Sequence, residues 1–126
     1  MSTVITDNLT GKTSAGDVTI TDGSATMQLQ QGLAKSWVAG ANDSSQSITG
    51  DTFNVSGFTD TALGTCVITI TNLMNSVTYP VQNTATANYD YHGTAISTST
   101  YSLRTVGYTG NSADGAKNGL VHGDLA

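Results

Sequence analysis

"TCVITIT", Thr65 to Thr71, decides the fold class. Cys66, Ile68 and Ile70 fall on one side of this run, and Val67, Thr69 and Thr71 on the other. Alternation with a period of two, carried by β-branched residues, marks a half-buried strand. The flanking sequence follows the same rule. Phe53 to Thr59 reads as a strand bulged at Gly57, and Thr78 to Ala87 as a strand that Pro80 confines to an edge or a strand start. Tyr101 to Thr109 and Gly119 to Leu125 read as the last strands, joined by the loop "GNSADGAK". "GANDSSQSITGD" (Gly40–Asp51), "DTALG" (Asp60–Gly64) and "YDYHGTA" (Tyr89–Ala95) read as turns and loops, and "NLMNS" (Asn72–Ser76) as a turn or one helical turn. Short strands separated by turn signals predict an all-β chain, an antiparallel β-sandwich. Trp37, Phe53, Val55, Cys66, Ile68, Ile70, Tyr79 and Val81 are expected inside it or at a subunit interface.

The apolar material for such a core is thin. Leu, Ile, Val and Phe make up 25 of the 126 residues, close to the level of roughly 20% below which a chain struggles to fold. Thr (22), Gly (14) and Ser (13) fill the rest of the pattern. Thr suits pleated, half-buried surface, and Gly and Ser suit turns. A sandwich this lean is expected to gain apolar burial from partner subunits.

Upstream, "VITDNLTGKTSAGDVTIT" (Val4–Thr21) reads as two short strands around a Gly-containing turn, with Val18 and Ile20 on one face. A two-stranded unit is marginal in water, so Val4, Ile5, Val18 and Ile20 become candidate attachment residues that add strands to a partner. "SATMQLQQGLAKSW" (Ser24–Trp37) follows. Leu29, Leu33 and Trp37 stand at i, i+4, i+8, but Met27, Leu29, Leu33 and Trp37 also share odd parity. Gly32 opposes a long helix, at a cost of about 1 kcal/mol relative to Ala. The expectation is a short helical collar from Ser24 to Gln31, then a strand from Leu33 to Ala39. Met27, Leu29 and Leu33 are candidate trimer-interface residues that would pack around a three-fold axis. This divides the chain into an N-terminal attachment segment, residues 1–23, and a collar with β-sandwich, residues 24–126.

Several function classes find no support. The chain carries nine Asp, no Glu, three Lys and one Arg, a net charge of −5. Lys12, Lys35, Arg104 and Lys117 are scattered, so no basic patch would follow a phosphate backbone, and nucleic acid is not an expected partner. No apolar run approaches the roughly 20 residues of a membrane span, and none reads as a secretory leader. "TGKTS" (Thr10–Ser14) would need Gly at Thr6 to be a phosphate loop. Cys66 alternates with Ile68 and Ile70, as a small buried hydrophobe does. His92 and His122 come with no spacing that selects a nucleophile or a metal set. No enzyme activity, cofactor or metal is expected. Tyr89, Tyr91 and His92 in "NYDYHG" are candidate surface-contact residues, since aromatic faces with polar tips suit sugar or protein.

"LQQGLAKSWV" and "DTFNVSGFTDTALGTCVITITNLMNSVTYPV" together resemble a module of tailed-bacteriophage virion proteins, of marine phage type. The matching pieces are Gln31 to Trp37, Asp51 to Ser56 and Asn75 to Tyr79. The closing "VHGDLA" resembles that family's final strand, and "LTGKTSAGDVTIT" its N-terminal attachment segment. The resemblance implies a trimeric, fibre-like β-sandwich on the virion surface, a tail fibre or head fibre, joined to capsid or tail proteins and facing host surface glycans. "AGANDSSQSITGD" (Ala39–Asp51) departs from the family's Gly- and Thr-rich turn, and 126 residues leave no room for a long shaft. Capsid decoration protein is the alternative; a carbohydrate-binding module unrelated to virions is a third reading.

Overall fold

The computed structural model describes residues 5–6, 8, 18–22, 24–42, 47–85, 89–107 and 110–126. The chain divides into two compact units, Met1–Leu33 and Ala34–Ala126.

In the first unit, β1 (Thr19–Asp22) and β2 (Ala25–Gln28) form an antiparallel two-stranded sheet, with Asp22 opposite Ala25 and Thr19 opposite Gln28. The Leu29 N–H continues the pairing by donating to the Val18 carbonyl at 2.7 Å. A single helical turn, α1 (Leu29–Gly32), follows. One expectation is corrected here. The helical collar from Ser24 to Gln31 is a strand over Ala25–Gln28, with only one turn of helix behind it. The strand reading won at Met27 because β1 offers backbone partners, which outweigh a weak helical preference interrupted at Gly32. The strand expected at Val4 and the turn after it lie outside the described residues. The first compact unit accordingly runs through this strand pair and the helical turn to Leu33.

The second unit is an antiparallel β-sandwich. Its strands are β3 (Ser36–Asn42), β4 (Ser47–Ile48), β5 (Thr52–Phe53), β6 (Val55–Ala62), β7 (Thr65–Ile70), β8 (Val81–Ala85), β9 (Tyr89–Ala95), β10 (Thr100–Gly107) and β11 (Ala116–Val121). One sheet has the order β6-β7-β10-β9, and the other β4-β3-β11-β8, with β5 also paired to β3. Strand β7 alternates as the sequence predicts, with Cys66, Ile68 and Ile70 buried. Pro80 immediately precedes β8, which is the edge of its sheet, where a missing N–H costs least. "YDYHGTA" is a strand and not a loop: β9 pairs with β10 from Tyr101–Ala95 to Gly107–Tyr89. Tyr and Thr favour a pleated surface once a neighbour supplies the ladder.

The inner faces meet in a core of Val38, Ala41, Cys66, Ile68, Ile70, Met74, Tyr79, Tyr101, Leu103 and Val121. Val55 and Val81 pack against it, half-buried. The core also holds polar side chains: Ser36, Thr105 and Lys117 are fully buried. Each has a partner, as burial demands. Ser36 Oγ lies 3.4 Å from the Tyr101 hydroxyl. The Thr105 hydroxyl donates to the Ala113 carbonyl. Lys117 Nζ donates to the Gly115 carbonyl at 3.2 Å. The Tyr79 hydroxyl sits 2.7 Å from the carbonyls of both Ser97 and Thr100, pinning the β9–β10 turn.

Two tests follow. Ile68 is fully buried, so Ile68→Ala should cost about 2–5 kcal/mol in urea-unfolding experiments. Burial pushes the Tyr101 phenol up to about 12, with the Ser36 hydrogen bond opposing and Cys66 and Tyr79 reinforcing the rise; burial raises Tyr79 too. Below the ordinary tyrosine pKa both folded and unfolded chains keep the proton. Above it the unfolded chain ionises first, so stability falls as pH rises through the window from about 10 to 12, by about 2–3 kcal/mol for Tyr101. Tyr101→Phe should flatten most of that decline in a pH series of unfolding midpoints.

Candidate assembly surface

The two sheets present unlike outer faces. Directly paired residues on antiparallel strands point to the same side, so the registers assign each face. On the β6-β7-β10-β9 sheet the outward positions include Thr59, Thr65, Val67, Thr69, Ser102, Arg104, His92, Thr94 and Asp90. That face is hydroxyl-rich and charged, as suits water.

The other face differs. Trp37 on β3 stands opposite both Phe53 on β5 and Leu120 on β11. Leu120 in turn stands opposite Gln82 on β8. Phe53, Trp37 and Leu120 thus form an apolar row across three adjacent strands. Phe53 is 51% exposed, and Trp37 and Leu120 are half-buried. The neighbouring outward positions are Ala39, Ser47, Ala116, Asn118 and Thr84. The paired positions are uncharged, on a chain whose net charge is −5; Asp51, exposed, borders them, its carbonyl accepting from the Ala39 N–H at 3.0 Å.

A bulge in β3 creates this face. Lys117 pairs with Ala41 and Gly119 with Val38, so Ala39 and Gly40 oppose the single residue Asn118. Gly40 takes φ +68°, a conformation that favours glycine. Its N–H donates to Asn118 Oδ1 at 2.9 Å. Trp37 and Ala41 share sequence parity, yet the bulge turns Ala41 inward and leaves Trp37 outside. Trp37 and Phe53 are therefore not sandwich core but lie on the outer face of their sheet.

The sequence-predicted residues fall as follows. Leu29 is half-buried on α1 and Leu33 is 55% exposed. Met27 lies on β2; its side chain is outside the described residues, as are those of Tyr89 and Tyr91 on β9. Ile5 is 92% and Ile20 46% exposed, and Val18 is half-buried beside β1. His92 is exposed on β9, on the charged face. Met27 stands on a strand and Leu29 on the helical turn behind it, so the helical spacing expected of Met27, Leu29 and Leu33 is absent. Sequence reasoning missed Leu120, whose role appears only through its register with Trp37. Alternation of Ala116, Asn118 and Leu120 against Lys117, Gly119 and Val121 was the available signal.

Among the described residues, no group of three or more His, Cys, Asp or Glu side chains is placed to hold a metal ion. No helix is long and apolar enough to cross a membrane. Compared with known proteins, the chain matches no family model, no curated protein and no solved structure.

Proposed function

We propose that this chain is a non-enzymatic structural protein of a bacteriophage virion: a homotrimeric, fibre-like surface module of tail or head. The apolar Phe53–Trp37–Leu120 row, whose paired neighbours are uncharged, carries the self-assembly part of this reading. An identical partner brings the same net charge of −5, and like charges oppose association unless the contact is neutral. Interface cores are likewise depleted of charge and enriched in Trp and Phe. The trimeric state and the virion setting rest on the resemblance of Gln31–Trp37, Asp51–Ser56 and Asn75–Tyr79.

The N-terminal unit is the attachment device. Its described sheet has two strands, which is marginal alone. Ile5 and Ile20 are exposed. Pairing its edges with a capsid or tail protein would satisfy backbone and apolar surface together.

Light scattering should give three chains per particle for the wild type. Leu120→Lys and Phe53→Lys should each yield folded monomers, because a lysine at the buried centre of the contact would be unpaired; retention of the trimer in both variants removes this face from the interface. A chain beginning at Ala34 keeps the whole sandwich core and should fold, yet fail to rebind particles lacking the protein. Rebinding equal to that of the full chain would move attachment elsewhere. Mass spectrometry of purified particles decides the setting: tens of copies or fewer fit a tail fibre, and hundreds fit capsid decoration.

A further inference from the structure

The edges of the two sheets are covered in different ways. Strands β8 and β9, each the edge of its own sheet, cover one another. A Cβ on Gly93 of β9 would meet the Val81 carbonyl oxygen of β8 at 2.5 Å, and Asn83 Nδ2 of β8 donates to the carbonyls of His92 and Arg104. On the other side, β4 and β5 have two residues each, and very short edges offer little to a pairing strand. That leaves β6, eight residues long. It has β7 on one side and, among the described residues, no strand paired on the other. A row of unpaired N–H and C=O groups on such an edge is a template for another chain.

Two features of β6 oppose that use. The backbone is irregular at both ends. Val55 pairs with Ile70 but Gly57 with Thr69, and Asp60 with Cys66 but Ala62 with Thr65, so Ser56 and Thr61 are each one residue more than β7 matches. An extra residue bends its strand and raises the local twist. Both are tied down: Ser56 Oγ donates to the Thr69 carbonyl at 3.3 Å, and Thr61 Oγ1 to the Thr65 carbonyl at 3.1 Å. Only the run from Gly57 to Asp60 keeps a regular register. That run carries a charge on its inner side. Asp60 stands directly opposite Cys66, and Phe58 opposite Ile68. Cys66 and Ile68 are fully buried, and directly paired residues point to the same side. The burial pattern agrees, with Phe58 and Asp60 half-buried and Thr59 and Thr61 exposed.

We propose that β6 is a guarded edge: the inward Asp60 carboxylate, between two bulges, bars a second copy of this chain from adding strand to strand. An edge position leaves Asp60 in contact with water. A strand laid along β6 would cover that opening and press the carboxylate against the side of the core that holds Cys66. Neither β6 nor β7 carries a basic residue to meet it, and an uncompensated buried charge is among the costliest groups a contact can hold. The bulges confine any trial pairing to four residues, too few to offset that cost. Copies therefore join through the outer face and stop, instead of extending as a continuous sheet. Strand addition to another protein is left to the N-terminal unit; that consequence rests on the attachment reading, whereas the guard rests on β6 alone.

The test uses the full chain with Asp60→Val, the near-isosteric neutral variant Asp60→Asn and the charged control Asp60→Glu. In time-resolved light scattering, wild type and Asp60→Glu should hold a constant mass. Asp60→Val should grow without reaching a plateau, and Asp60→Asn more slowly. Amide exchange over Gly57–Asp60 should slow by at least about tenfold in the grown material, because new ladder bonds protect those groups. Growth should persist when Leu120→Lys is added, since edges and not outer faces then join the copies. Where Asp60→Val fails to fold, Asp60→Asn decides the matter. A constant mass for the folded neutral variants overturns the inference, as does growth that leaves Gly57–Asp60 exchanging as in the wild type. Growth of Asp60→Val together with rebinding of particles by the chain that begins at Ala34 would uphold the guard and reject the attachment reading.

Discussion

One irregularity governs the outside of this sandwich: the β3 bulge at Ala39–Gly40, tied to Asn118. Without it, residues of equal parity along β3 would share a face, and Trp37 would lie on the side of Ala41. With it, Val38 and Ala41 both reach the core, three residues apart, and Trp37 is left outside. The bulge needs a residue at ease with positive φ, and Gly40 supplies it. It also needs a partner for the N–H removed from the ladder, and Asn118 supplies that. Pairing then aligns Phe53 and Leu120 with Trp37. An apolar row on this outer face is thus a consequence of backbone geometry as much as of composition.

The interior shows how so lean a chain reaches a packed state. Ser36, Thr105, Lys117 and Tyr101 occupy places where a richer sequence would use aliphatic groups, and each polar atom described above meets a partner. Such bonds add modest net stability, but leaving any of them unmade would cost more. One exception stands. Asn83 Nδ2 donates to the carbonyls of His92 and Arg104, at 3.3 and 3.0 Å, while its Oδ1 is buried with no partner. Two carbonyl acceptors fix which end of the amide faces them, so the orphaned oxygen is the consequence of using Asn83 to tie β8 to β9 and β10. The described residues offer no compensating donor. A core held by polar ties has little apolar burial in reserve, which is the energetic argument for association through the outer face.

Much of this fold is legible in the sequence where two local rules agree. "TCVITIT" combines alternation with β-branched residues, and Pro80 heads an edge strand. Legibility fails where a distant partner decides. "SATMQLQQ" fits helix and strand alike, and pairing with β1 settles it. "YDYHGTA" looks like a loop by its Gly, His and Asp, but β10 provides a ladder that no local pattern announces. The helical spacing expected of Met27, Leu29 and Leu33 gives way to a strand and one helical turn. The observed apolar row depends on register between residues 37, 53 and 120, which are far apart in the chain. A bulge that reverses parity leaves only a Gly in a strand pattern as its local trace.

Trp37 is the only tryptophan of the chain, so its fluorescence reports directly on the claim that this face is covered by other copies. Acrylamide quenching, read on the same samples whose mass is measured by light scattering, is the decisive measurement. Self-assembly through the face predicts a mass of several chains together with blue-shifted emission and weak quenching, both moving toward solvent-exposed behaviour as dilution lowers the mass to one chain. An oligomer whose Trp37 is quenched as readily as that of the single chain, or a monomer at every concentration, would contradict it.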